Sequence, residues 1–236
     1  MANMLKIFVL KLEKDCYTTE FQDSLLQYLP RGSQLRVKDR LNNNSKLQTV
    51  SGELLARYSV GKFTGNPLQE INLIFGEKGK PHIGNLSNIH FNISHSGNYV
   101  VCAVASTEVG IDVERVRKVN LCIAERFFSS PELHDLLELD EEARKQYFII
   151  LWTIKESYLK AIGRGLTQNL NSFTIRKNGG TYLLTGNEEA AGFGIKTQQL
   201  DKEYSMAVCA PLPFPDAETH FVALEDILKA VPKYGF

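Results

Sequence analysis

The stretch YVVCAVASTEVGIDVE, residues 99–114, holds two runs of different character. Tyr99–Ala105 is continuously apolar and rich in β-branched residues, which reads as a strand. Val109–Glu114 alternates, so that on a strand Ile111 and Val113 face a core while Asp112 and Glu114 share the other face. Val101-Cys102-Ala103 then recurs as Val208-Cys209-Ala210, inside another strand-like run, Ser205–Ala210. Glu53–Tyr58 occupies roughly the place in the first half that Lys155–Lys160 holds in the second. This repeated order of helix followed by strands predicts an α+β fold of two similar lobes, residues 1–109 and 110–236. Two such lobes would leave a cleft between them.

Outward from that stretch, strands are expected at Lys6–Leu12, Ile71–Phe75, Asn88–Ile93, Ser172–Arg176, Thr181–Leu184 and Gly194–Gln199, with a helix-prone region up to Tyr58. Ser130-Pro131 reads as an N-cap and first helical position, opening a helix to about Leu139. A long helix over Glu141–Ile162 ends near Gly163 and Gly165.

Composition narrows the function classes. The 236 residues are 43% hydrophobic and 23% charged with zero formal net charge, so no field of one sign draws in nucleic acid or anionic lipid. Neither is expected as a partner. The N-terminal apolar run is broken by Lys6 and Lys11, and no stretch approaches the ~18–20 apolar residues of a membrane span. Cys16, Cys102, Cys122 and Cys209 lack metal-type spacing and read as free thiols of a cytoplasmic protein. A monomer is expected.

The chemistry-bearing residues fall in three places. Asp112 and Glu114 project side by side from one strand face, although a solvated acidic face has the same pattern. On the long helix, Phe148, Leu151, Tyr158, Leu159 and Ile162 form an apolar stripe, while Trp152, Glu156 and Lys160 follow one another along a different row. A Glu–Lys pair at this spacing is ordinary on a surface, but the sole Trp on the same row implies partial cover. Oxygen-only ligation by three carboxylates suits a hard cation, Mg²⁺, with phosphate oxygens and water completing its shell.

The third place is Asn92–Asn98, a segment joining two strands in which Ser94, His95 and Ser96 offer donors to an anion. Lys78-Gly79-Lys80-Pro81 is a second basic loop, and Arg36, Lys38 and Arg40 add charge upstream. Neither a P-loop nor a Rossmann glycine pattern is present.

Gly79-Lys80-Pro81, Phe91–Ser96, Gly110–Glu114, Arg126-Phe127-Phe128 and Trp152-Thr153-x-Lys155-Glu156-Ser157-x-x-Lys160, in this order, resemble the surfactin-type 4′-phosphopantetheinyl transferases. The resemblance implies a pseudo-twofold arrangement of the lobes, each a small, mainly antiparallel sheet with packed helices, and an active site in their cleft. It implies Mg²⁺-dependent transfer of phosphopantetheine from coenzyme A to a serine of an apo acyl or peptidyl carrier protein, with Mn²⁺ as an alternative ion. Adenosine 3′,5′-bisphosphate would leave. By the same resemblance Asp112, Glu114 and Glu156 match the metal ligands. Ser94, His95, Lys78, Gly79, Lys80, Pro81, Arg36 and Thr49 match coenzyme A contacts. Lys160, with Asp112, matches a residue beside the diphosphate. Glu156 is the preferred base; Glu114, an activated water or proton loss toward the metal are alternatives. Gln48 stands where many relatives carry an arginine, so that phosphate contact is either lost there or moved to Lys46. A Mg²⁺-dependent phosphohydrolase and a non-catalytic coenzyme A or carrier binder are the competing readings.

Overall fold

The apolar runs pair into two main sheets, each packed against one long helix, and two hairpins. The computed structural model describes residues 4–13, 17–38, 43–75, 81–117, 119–163, 169–179 and 181–234. They divide into two units.

One unit comprises Leu5–Ala105 and Ala217–Phe236. Its sheet has the order β11-β1-β5-β4, built from β1 (Met4–Lys11), β4 (His90–Ser96), β5 (Tyr99–Ala105) and β11 (Asp216–Val222). The pairs β1/β5 and β4/β5 are antiparallel, in registers that set Phe8 opposite Cys102 and His95 opposite Val100. Phe8, Leu10, Cys102, Val104 and Phe91 turn one face of the sheet toward Val50, Leu54 and Leu55 of α3 (Asn43–Thr64). Helices α1 (Thr19–Ser24), α2 (Arg31–Lys38) and α8 (Leu224–Ala230), with the hairpin of β2 (Leu73–Phe75) and β3 (Pro81–Ile83), complete the unit.

The other unit comprises Met1–Met4 and Ser106–Asp216. Here β6 (Gly110–Arg115), β10 (Tyr204–Pro211) and β9 (Phe193–Asp201) form an antiparallel sheet in the order β6-β10-β9. Helix α6 (Glu141–Ile162) lies across β6 and β10. Around it are α4 (Leu121–Phe127), α5 (Ser130–Leu137), the hairpin β7 (Thr174–Asn178)/β8 (Thr181–Thr185) and α7 (Glu188–Ala191).

The internal repeat takes physical form in these elements. The matching triplets are the buried cores of β5 and β10, and α3 and α6 each have 22 residues. Cys102 and Cys209 are free, fully buried thiols; burial pushes Cys102 up to about 12, against a hydrogen bond with Ser59, and also pushes Cys209 up. Cys122 is free and exposed, and Cys16 lies outside the described residues. No helix among the described residues is long and apolar enough to cross a membrane.

Helix α6 has the bounds read from the sequence, because its caps are strong: Asp140 accepts from Ala143 N at 2.9 Å, and Gly163 closes it at φ 70°. Helix α5 is displaced by one residue. Ser129 is its N-cap, in a capping box with Glu132, and Pro131 follows Ser130 inside the first turn. The sequence places residues 94–98 in a connecting segment, whereas β4 runs on through Ser96, and Gly97 (φ 50°) with Asn98 makes the turn. Chain order also gives no warning that residues 217–236 return to the unit of β1.

Candidate active site

At the start of β6 the strand lies directly on α6. A Cβ on Gly110 would run into the main chain of α6 at Ser157 O and Ala161 N, so only glycine permits this approach. Two residues on, Asp112 is 4% exposed and accepts at Oδ1 from Lys160 Nζ at 2.6 Å. Glu114 lies two residues further along the same strand face and is half-buried. Ile111 and Val113 are buried on the opposite face, as the alternation requires.

The row Trp152, Glu156, Lys160 on α6 is half-covered along its length. Trp152 stacks on Phe148 at 6.5 Å and meets the edge of Phe127 at 5.7 Å, while Arg126 lies over the Phe127 ring. Burial pushes the Glu156 carboxyl above its ordinary range; the negative charges of Asp112 and Glu114 add to this, and Lys160 opposes it. The four groups therefore form one electrostatic cluster.

Among the described residues, no three His, Cys, Asp or Glu side chains stand close enough to hold a single metal ion. Asp112, Glu114 and Glu156 are neighbours in charge, but they are not drawn into one ligand set, and the lysine ammonium sits on Asp112. The donor chemistry still fits Mg²⁺, since all candidate ligands are hard oxygens, and Mg²⁺ commonly takes one or two carboxylates and keeps its waters.

Lys155, beside Glu156 in sequence, goes the other way. It is wholly buried, with Nζ 3.0 Å from Glu132 Oε2 and donating to Leu170 O at 2.7 Å and Phe173 O at 3.1 Å. Glu132, also wholly buried, accepts from Ser129 N at 2.7 Å and Ile175 N at 2.6 Å. Burial pulls the Lys155 ammonium down, against the charge of Glu132. The pair ties α5, α6 and β7 together behind the reactive row. The Ser129–Glu132 capping pattern was the available signal for half of it.

The first-described unit carries a cavity of about 190 Å³ lined by Arg36, Thr49, Pro81 and His95, together with Gln48 and Glu53. The first four are expected coenzyme A residues. Ile93 and His95 alternate onto this cavity face of β4, whereas Ser94 between them points to the other face, is buried, and does not line the cavity. Lys78, Gly79 and Lys80 lie outside the described residues. Gln48 Nε2 donates to Gly97 O at 2.9 Å, bracing the turn after β4. Lys46, the candidate substitute cation, is paired with Asp23. Sequence reasoning missed Glu53. It is 3% exposed and holds Arg36 NH2 at Oε2 (2.6 Å), and its Oε1 accepts from Ser33 Oγ (2.7 Å) and Arg57 NH2 (3.0 Å).

One unit thus carries an acidic cluster with a lysine, and the other a cavity whose wall includes Arg36, His95 and the buried carboxylate of Glu53. Residues 108–209 match the model of the 4′-phosphopantetheinyl transferase superfamily, and residues 17–107 match that of the 4′-phosphopantetheinyl transferase N-terminal region. The chain is 39% identical to 4′-phosphopantetheinyl transferase Sfp of Bacillus subtilis over 77% of its own length and 81% of that protein. It is 37% identical to psf-1 of Bacillus pumilus, over 77% and 78%, and 34% identical to ffp of Bacillus subtilis, over 90% and 95%. The chain belongs to the 4′-phosphopantetheinyl transferase family, enzymes that modify carrier proteins.

Proposed function

We propose that this chain transfers 4′-phosphopantetheine from coenzyme A to a serine of an apo acyl or peptidyl carrier protein in a Mg²⁺-dependent reaction, acting as a cytoplasmic monomer. The observation that carries the reading is Glu156 and Lys160 one turn apart on a half-covered helix row, beside Asp112 and Glu114 of β6. Asp112, Glu114 and Glu156 would hold Mg²⁺, which, when bound, supplies neutralisation of the diphosphate charge.

In the transfer, the serine Oγ forms a bond to the phosphorus carrying pantetheine. The bond from that phosphorus to the bridging oxygen breaks, and adenosine 3′,5′-bisphosphate leaves with the electron pair. Glu156, directly or through a water it activates, takes the serine proton, with Glu114 as the alternative acceptor. Lys160 stabilises the negative charge building on the leaving oxygens. Arg36, Thr49 and His95 bind the adenosine phosphates in the cavity that Pro81 helps to line. Lys155 serves the scaffold and does not touch the substrate.

Incubation with Mg²⁺, coenzyme A and an apo carrier, followed by mass measurement of the carrier, tests the reading. A carrier heavier by one phosphopantetheine arm is the expected result. Phosphate release with an unchanged carrier would favour a phosphohydrolase, and binding without any product a non-catalytic coenzyme A or carrier binder.

A further inference from the structure

A buried carboxylate on the wall of an anion-binding cavity is at first sight an obstacle to the ligand. Glu53 is such a group, and its surroundings resolve the conflict. The carboxylate accepts from the Ser33 hydroxyl, from Arg36, and from both Nε and NH2 of Arg57. Its lone pairs are thus occupied by donors, and two guanidinium groups outweigh its single charge. Ser33 and Arg36 share a face of α2, one turn apart, and Glu53 and Arg57 share a face of α3. Arg57 is itself anchored, donating to Ile71 O at 2.6 Å. Arg36 is the most exposed member, its side chain 31% exposed against 2% for Glu53.

We propose that Glu53 is a positioning residue for substrate binding: it fixes the Arg36 guanidinium on the cavity wall before the ligand arrives. An arginine on a short helix loses several rotatable degrees of freedom when it grips a phosphate. Here Glu53 and Ser33 have already removed them, so the ligand does not bear that ordering cost. Arg57 keeps Glu53 from repelling the anion and from turning away. The proposal rests on the reading that this cavity takes the adenosine phosphates of coenzyme A.

The test is a double-mutant cycle in coenzyme A affinity, measured by calorimetric titration of the full-length protein with thermal melts run alongside. Glu53→Gln should weaken coenzyme A about tenfold, the scale of one charge-assisted hydrogen bond, and leave turnover at saturating coenzyme A within about threefold of wild type. In an Arg36→Ala background the same substitution should cost less than about threefold, because no guanidinium remains to be positioned. A purely structural role, transmitted through Arg57 and α3, would cost the same in both backgrounds and would overturn the proposal. Equal or tighter binding by Glu53→Gln would overturn it too, since the carboxylate would then act only by repulsion. If Arg36→Ala itself bound coenzyme A like wild type, the cavity reading would fail, and the proposal with it. Should Glu53→Gln not fold, Glu53→Asp serves in the same cycle. It keeps the charge beside Arg57 but falls one methylene short of α2, and the same tenfold loss is expected.

Discussion

Replacing Lys160 by Met keeps an apolar stem and removes only the ammonium. In the structure that ammonium donates to Asp112 Oδ1 at 2.6 Å, from a side chain 27% exposed to one 5% exposed. At this distance the bare attraction is about 6 kcal/mol for an effective dielectric of ~20. Desolvating the two charges offsets most of it, leaving roughly 1.5–3 kcal/mol, the usual net contribution of a hydrogen bond between charged groups. For a chain of this size that loss corresponds to a melting point lower by roughly 3–12 °C. Melts in chelator should find this deficit, and Mg²⁺ should narrow it by supplying Asp112 with another cation. Turnover should fall about 10²-fold, with a smaller change in the Michaelis constant for coenzyme A, because the lost charge acts mainly on the breaking bond. An unchanged melting point in chelator would refute the strength assigned to the Lys160–Asp112 pair. Unchanged turnover with a raised Michaelis constant would make Lys160 a binding residue instead.

Asp112→Ala should lower turnover ~10²-fold or more while the protein stays folded; a soluble variant with wild-type turnover would remove Asp112 from the metal assignment. His95→Ala should weaken coenzyme A about tenfold and 3′-dephospho-coenzyme A much less, as read by paired titrations. Equal weakening of both ligands would move His95 off the 3′-phosphate; its exposure places the effect at the low end for a charged contact. Glu156→Gln should raise the melting point in chelator at neutral pH. Because folding raises the Glu156 proton affinity, the wild type is penalised as pH climbs above the ordinary carboxylate value, and the glutamine variant is not. The gap between the two melting curves should therefore close as pH falls toward ~4, and a gap that widened on acidification would contradict the raised affinity.

The parts of the site that were legible in the sequence are those with a local period. Asp112 and Glu114 follow the strand alternation, and Glu156 and Lys160 follow the helical row, so each pair could be placed without tertiary information. Ser94 and His95 became separable only once β4 was seen to extend through Ser96, since residues in a connecting segment have no fixed alternation. Glu53 and Lys155 were illegible for a different reason. An acid or base on a helix reads as surface, and its burial depends on partners far away in sequence, Ser33 and Arg36 for one, Glu132 and Leu170 for the other. Strand β11 adds to the sheet edge beside β1 although the two come from opposite ends of the chain, and no local pattern announces such a pairing.

Gly110 sets a limit on redesign. The separation between β6 and α6 is fixed by one main chain resting on another, and main-chain atoms at Ser157 and Ala161 have no rotamers with which to give way. Exchanging the side chains at 112, 114 and 156 would change the charge between strand and helix but hardly the spacing of the two main chains. Widening that spacing would require Gly110 to be replaced and the strand lifted, at the cost of the Asp112–Lys160 contact. The gauge of the site is thus written in a residue that has no side chain and takes no part in the chemistry.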